Sequence, residues 1–241
     1  VPQNHAPKSC ADGGKPFCHQ PNIFMNLSTS YGLGIHTASP DLGLAIRNFA
    51  GDSRSQVWDL GRDLSTHLHV HLAEFLKPQT WADLALIAVA KGPGGFTGTR
   101  IGVVTARTLA QQLDIPLFAI STLAAIAWST LNQLPQPLDI ALQMPAQRGE
   151  LFTAVYHPLP DQGGLKPLLP DGVMDPADWQ QTLEHWENPY HLVQVSGGLG
   201  NSVTSLLELA CLSWQQGKRP HWSEALPFYG QHPVETAGSE E

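Results

Sequence analysis

The chain first shows short alternations of apolar and small residues. Gly32 to Thr37 (GLGIHT) alternates as a strand does, and Leu42 to Asn48 (LGLAIRN) repeats the pattern across the turn residues Ser39-Pro40-Asp41. Ser55 to Leu60 (SQVWDL) predicts a third strand, so the chain opens as an antiparallel meander. The period then lengthens. Leu64, Leu68, Leu72, Phe75 and Leu76 mark one face of a helix over about 63–77, stopped by Pro78. An apolar run over 84–90 predicts a buried strand. Residues 91–98 hold four glycines and a proline, and a helix over 99–113 follows with Ile101, Val104 and Leu109 as its core face. A strand at 117–120 and a helix at 122–131 complete a compact βββαβαβα half.

The two prolines of 132–138 (NQLPQPL) read as a hinge, and a second, smaller unit follows. Residues 139–144 and 150–156 predict a hairpin, and 157–172 a Pro/Gly-rich loop. Asp175-Pro176 supplies an N-cap and first turn for a helix to about Trp186. A strand at 192–195, a glycine turn at 197–200 and a helix at 202–214 echo the first half in element order only. The expected division is a disordered extension over 1–24, a first lobe over 25–133, a second over 134–230 and a mobile acidic tail over 231–241. Val1 stands where a start methionine is usual, and Met25 precedes the first ordered-looking stretch, so a working start near Met25 is expected.

Composition narrows the function classes. With 241 residues, 42% of them hydrophobic, and a net charge of −8, the chain can bury a sizeable core but lacks the basic face that autonomous nucleic-acid binding needs. Its three cysteines (Cys10, Cys18, Cys211) are too scattered for a disulfide framework or a zinc site, which points to a reducing, cytoplasmic compartment. No apolar run approaches the roughly 20 residues that span a bilayer.

Two stretches invite chemistry. The loop Gly92-Pro93-Gly94-Gly95-Phe96-Thr97-Gly98, with Arg100 just beyond, places backbone N–H groups at a helix N-terminus, where a phosphate can sit. It is neither a Walker A loop, since Thr99-Arg100 replaces its lysine, nor a GxGxxG turn, since Thr97 takes the third glycine's place. The alternative is that the glycines let a strand turn sharply and pack closely. The second stretch puts His67, His71 and Glu74 on one side of the first helix. The HExxH pattern is absent, so the expected role is the outward face of a helix that meets a partner, with no metal site.

GPGGFTGTRIG (92–102) resembles the GPGSFTGLRIG signature of the TsaB family, also called YeaZ, the dimerisation subunits of the bacterial tRNA threonylcarbamoyladenosine machinery. LGIHTASPDLGLAI (33–46) is similar to the family's opening hairpin, QRGELFTAVY (147–156) to its RRGEVYAALY strand, and LPFYG (226–230) to its closing segment. The resemblance implies an α/β, two-lobed actin/hexokinase/Hsp70-like fold with a reduced second lobe. The relative TsaD carries a metal-binding HMEGH motif, and the corresponding stretch here is Thr122 to Ile126, without histidine. The aspartates that position Mg²⁺ in such folds correspond to His36 and Pro145, which argues against independent ATP hydrolysis. The turn at Gly197, Gly198 and Gly200 resembles the adenosine-side turn of that fold.

What the resemblance implies is a non-catalytic subunit that dimerises with TsaD, and with TsaE and nucleotide in the complex. It would support transfer of threonylcarbamoyl to N6 of adenosine 37 in tRNAs reading codons that begin with A. The donor would come from TsaC-type enzymes, and tRNA would be met only through the complex. No cofactor is expected to be held firmly by this chain, with ATP/ADP and Mg²⁺ belonging to the partner complex. The expected partner face is His67, Val70 and His71 on the first helix, and Val103, Arg107 and Ala110 on the second. On that reading Val103→Arg abolishes co-purification with TsaD and spares stability. The alternatives are a homodimeric nucleotide-binding regulator and a stand-alone phosphotransferase or glycoprotease-like enzyme of the same fold.

Overall fold

The structure, a computed structural model, describes residues 30–159 and 163–230. The expectations for 1–24, for a start at Met25, for Cys10 and Cys18 and for the tail from 231 lie outside these residues. The first lobe is built from β1 (Tyr31–His36), β2 (Asp41–Asn48) and β3 (Ser53–Asp59), then α1 (Leu64–Leu76), β4 (Leu84–Ala90), α2 (Phe96–Leu113), β5 (Leu117–Ile120) and α3 (Thr122–Leu131). Its sheet runs β3-β2-β1-β4-β5, the first three strands antiparallel and β4 parallel to both neighbours. All seven residues of β4 (LALIAVA) are buried, as expected of a strand covered on both faces.

The second lobe repeats this plan with β6 (Asp139–Pro145), β7 (Leu151–Pro158), β8 (Leu165–Met174), α4 (Pro176–Glu184), β9 (Tyr190–Gln194) and α5 (Val203–Gln215). The order is β8-β7-β6-β9: a meander, then a parallel strand beside its first member. The four strands match the first four of the other sheet, and a fifth is missing among the described residues. The two lobes, the second smaller by one strand among the described residues, match the two-lobed plan that the resemblance implies.

Two expectations need correction here. The loop expected over 157–172 contains most of β8. Pro167, Pro170 and Gly172 disguise it, but β8 lies at the sheet edge, where a missing N–H does no harm, and its pairing with β7 shifts register twice. The second correction concerns α2. It starts at Phe96, so Phe96, Thr97 and Gly98 form its first turn instead of preceding it. Its phase also differs from the expected one. Val103 and Ala110, expected on the outward face, are buried (1% and 0% exposed), while Val104, expected in the core, is 54% exposed. The inward stripe holds Gly102, Ala106 and Ala110, small residues that carry little hydrophobic signal yet bring the helix close to the sheet. Ile101 and Leu109 are half-buried at its margins. For α1 the expected face holds: Leu64, Leu68, Leu72, Phe75 and Leu76 are all buried.

The elements stack in layers. The pair α1 and α2 covers the outer face of the first sheet. Between the sheets lie α3 and α5, and each packs on the other lobe: α5 on β1, β2, β4 and β5, α3 on β6, β7 and β8. The outer face of the second sheet is covered by α4, with Trp179 and Leu183 against Ala141 and Val155. Arg47 of β2 pairs with Glu208 of α5 at 3.1 Å, and the Trp128 indole of α3 donates to the same carboxylate at 2.9 Å, tying three layers together. Beside them Cys211 is a buried free thiol that burial pushes up to about 11.

Candidate functional site

The lobes meet at a cleft of about 620 Å³. Its walls are the β1–β2 turn (Ala38 to Pro40), the glycine loop, the β6–β7 turn (Pro145 to Gln147) and the β9–α5 turn (Val195 to Gly197), with Tyr229 at one side. Each wall is a strand-end connection, which is where open α/β sheets place ligands.

The glycine loop is held by the protein itself. The Gly95 N–H donates to the Ala38 carbonyl at 2.7 Å, and the Thr37 hydroxyl donates to the Gly98 carbonyl at 2.8 Å. Thr122 N–H donates to Gly92 O at 2.9 Å, Lys91 N–H to Ile120 O at 2.9 Å, and Phe228 N–H to Lys91 O at 2.7 Å. A β-carbon at Gly94 or Gly98 would stand inside contact distance of the Ala38 or Thr37 carbonyl. Close approach therefore accounts for these two glycines. Pro93 is buried, while Thr97 and Arg100 are exposed. Phe96, 41% exposed, stacks on Tyr229 with ring centroids 4.6 Å apart.

At the end of β1, His36 shares its sheet face with Gly32 and Gly34, which abut Leu207 and Val203 of α5. It is fully buried, and its Nε2 has no hydrogen-bond partner. Burial disfavours the imidazolium and pushes the group down from 6.5 to about 3, so the ring is neutral at ordinary pH. Pro145, at the end of β6, lies on the cleft wall. The fold that the resemblance implies would place a Mg²⁺–nucleotide here, but a neutral buried imidazole and a proline supply no oxygen ligand, and no carboxylate lines the cleft. These residues do not fit that group. Across the cleft, Gly197 and Gly198 adopt left-handed backbone (φ 55° and 62°), and Gly200 is buried against Gly43.

The other candidate surface is the outer face of α1 and α2. His67 is exposed, with Nδ1 3.2 Å from the Asp63 carbonyl, and Val70 is 53% exposed. The ring of His71 lies against Trp58 at 4.7 Å. Among the described residues no three His, Cys, Asp or Glu side chains gather as a metal-ligand set. On α2 the outward stripe is Phe96, Arg100, Val104 and Thr108, at intervals of four, in place of Val103 and Ala110. Arg107 is half-buried, its guanidinium 5.8 Å from the Trp222 ring.

Trp222 belongs to a segment that the residue pattern did not reveal. Residues 220–230 form a strap. Pro220 O accepts from Leu117 N–H, Ala225 is buried in the first-lobe core, and Gly230 lies against Phe152 and Val173 of the second. The apolar residues of LPFYG were the available signal, but they carry no period.

The comparisons with known proteins agree with this architecture. A family model described as "TsaD: tRNA N6-adenosine threonylcarbamoyltransferase" matches residues 62–205, more than half of the chain. The chain belongs to the TsaD family, as a member of TsaB/YeaZ type. A Bacillus subtilis protein named tRNA threonylcarbamoyladenosine biosynthesis protein TsaB is 39% identical over 109 residues, 44% of each chain. The Escherichia coli protein of the same name is 27% identical over 63% of this chain and 73% of that one. The chain spans less than half the length of the first curated relatives it matches. The solved YeaZ structure from Pseudomonas aeruginosa superposes with a TM-score of 0.67 at 22% identity, over 83% of this chain and 100% of that one. That likeness shows the fold. No helix among the described residues of this TsaB/YeaZ-type chain is long and apolar enough to cross a membrane.

Proposed function

We propose that this chain takes part in tRNA threonylcarbamoyladenosine biosynthesis as a non-catalytic subunit. It dimerises with TsaD through the outer face of α1 and α2 and, with TsaE and nucleotide in the complex, supports threonylcarbamoyl transfer to N6 of adenosine 37 in tRNAs reading ANN codons. The names of its relatives support the pathway. The observation that carries the partner role is the pairing of exposed apolar residues on adjacent helices, Val70 on α1 and Phe96 and Val104 on α2, the last two flanking the exposed Arg100. Such a face suits a non-obligate interface of roughly 1,200–2,000 Å². A non-catalytic role is supported by His36, which is buried, neutral and absent from the cleft lining, and by Pro145: neither brings a charged acid–base group or an oxygen ligand for Mg²⁺ to the cleft. The contribution is then to favour the active conformation of the partner.

The corrected phase of α2 changes the test. Val104→Arg replaces the central exposed valine of the stripe by a second charge beside Arg100. It is expected to abolish co-purification with TsaD and the modified nucleoside in bulk tRNA, read by mass spectrometry, while the melting temperature moves by less than about 2 °C. Retained co-purification refutes this face. Val103→Arg instead buries an unpaired guanidinium and is expected to give little folded protein.

A further inference from the structure

We propose that the interlobe cleft binds an uncharged, planar heteroaromatic ligand of nucleoside size and rejects a metal-bound phosphate. The cleft, at about 620 Å³, has room for a base and a sugar. Its lining contains no charged side chain. It is made of glycine and alanine backbone, apolar side chains such as Met144 and Phe152, and the neutral polar groups of Ser39, Gln147 and Ser196. Behind that wall the Asp41 carboxylate accepts from the Ser39 hydroxyl at 3.0 Å and adds negative potential at the Ser39 side of the cleft.

The usual means of holding phosphate are incomplete. The Gly95 N–H is spent on Ala38, so the loop does not present a full set of donors. Threonine and arginine follow Gly98 where a phosphate loop has its lysine, and that Arg100 is absent from the lining. A neutral ring gains what a phosphate cannot. Phe96 and Tyr229 stand together at one side of the cleft, their planes 36° apart, and an aromatic ligand can stack there. Tyr229 is fixed from both sides by the strap, through the Phe228 N–H bond to Lys91 O and the seat of Gly230 on Phe152. That restraint lowers the ordering cost of binding. Phe96 belongs to both surfaces, so the inference is tested at Tyr229, which lines the cleft and is not part of the outer helix face.

A series that keeps the ring and raises the charge tests it: adenosine, adenosine 5′-monophosphate and ATP with Mg²⁺, titrated calorimetrically into the full chain, with ligand-observed NMR for weak binding. Affinity is expected to fall in that order, by tenfold or more from adenosine to ATP–Mg²⁺. Tyr229→Ala is expected to weaken adenosine about tenfold, and Tyr229→Phe, which keeps the ring, to retain it. ATP–Mg²⁺ binding as tightly as adenosine, binding of none of the three, or adenosine binding that Tyr229→Ala leaves untouched would each overturn the inference. Co-purification of the same preparations with TsaD reports separately on the partner face.

Discussion

The two lobes carry glycine-rich turns at equivalent places, between β4 and α2 and between β9 and α5, and the glycines are there for different reasons. In the first turn Gly94 and Gly98 have ordinary backbone angles, and their missing side chains are what matter, because the carbonyls of Ala38 and Thr37 occupy that space. In the second, Gly197 has nothing within 4 Å of where a β-carbon would stand, and its left-handed backbone (φ 55°) is what matters. Gly94 and Gly98 make a packed joint, and Gly197 a free-standing bend. A run of glycines in a strand–helix connection is therefore not by itself a statement about phosphate.

The sharpest way to break this contrast is Gly98→Ala. If close packing is the reason for glycine there, the added methyl must displace Thr37 or the helix, at about 3 kcal/mol, seen as a lower denaturant midpoint with an unchanged slope. A loss below about 1 kcal/mol would refute the packed-joint reading. His36, which precedes Thr37 of the same joint, gives the next largest effect. Its ring titrates near 6.5 when unfolded and near 3 when folded, so between these values only the unfolded chain takes up the proton. Stability is then unaffected by this group above pH 6.5 and falls as pH drops toward 3, by about 2 kcal/mol between pH 6.5 and 5. His36→Gln should flatten that part of the stability–pH curve, measured by urea unfolding at a series of pH values. The smallest effect is expected at the bend. Gly197→Ala should cost about 1 kcal/mol, through backbone strain alone, and Gly197→Asn less, because asparagine tolerates the left-handed region.

The same contrast explains what could be read from the residues. Elements with a large apolar period were legible: α1 from its leucines, β4 from seven consecutive apolar residues, the β6–β7 hairpin from its turn. The two-lobed plan was legible from the resemblance, and the topology bears it out. The phase of α2 was not. Val103 and Val104 are equally apolar, and the choice between them is made by Gly102, Ala106 and Ala110, whose role is to be small. The edge strand β8 was hidden by prolines that only an edge accepts, and the strap by a run with no period at all. At the cleft, His36 and Pro145 were identifiable as departures from an acidic pattern, but neither the burial of the imidazole nor the position of Tyr229 follows from local sequence.

The exchange of α3 and α5 between the lobes has a consequence for synthesis. On a ribosome the first sheet is complete once Ile120 has emerged, yet the face that α5 covers stays bare until residues 203–215 follow. The second sheet, by contrast, finds α3 already made. The nascent chain therefore carries an unfinished apolar surface through the synthesis of its whole second half, a stretch in which a chaperone has something to hold.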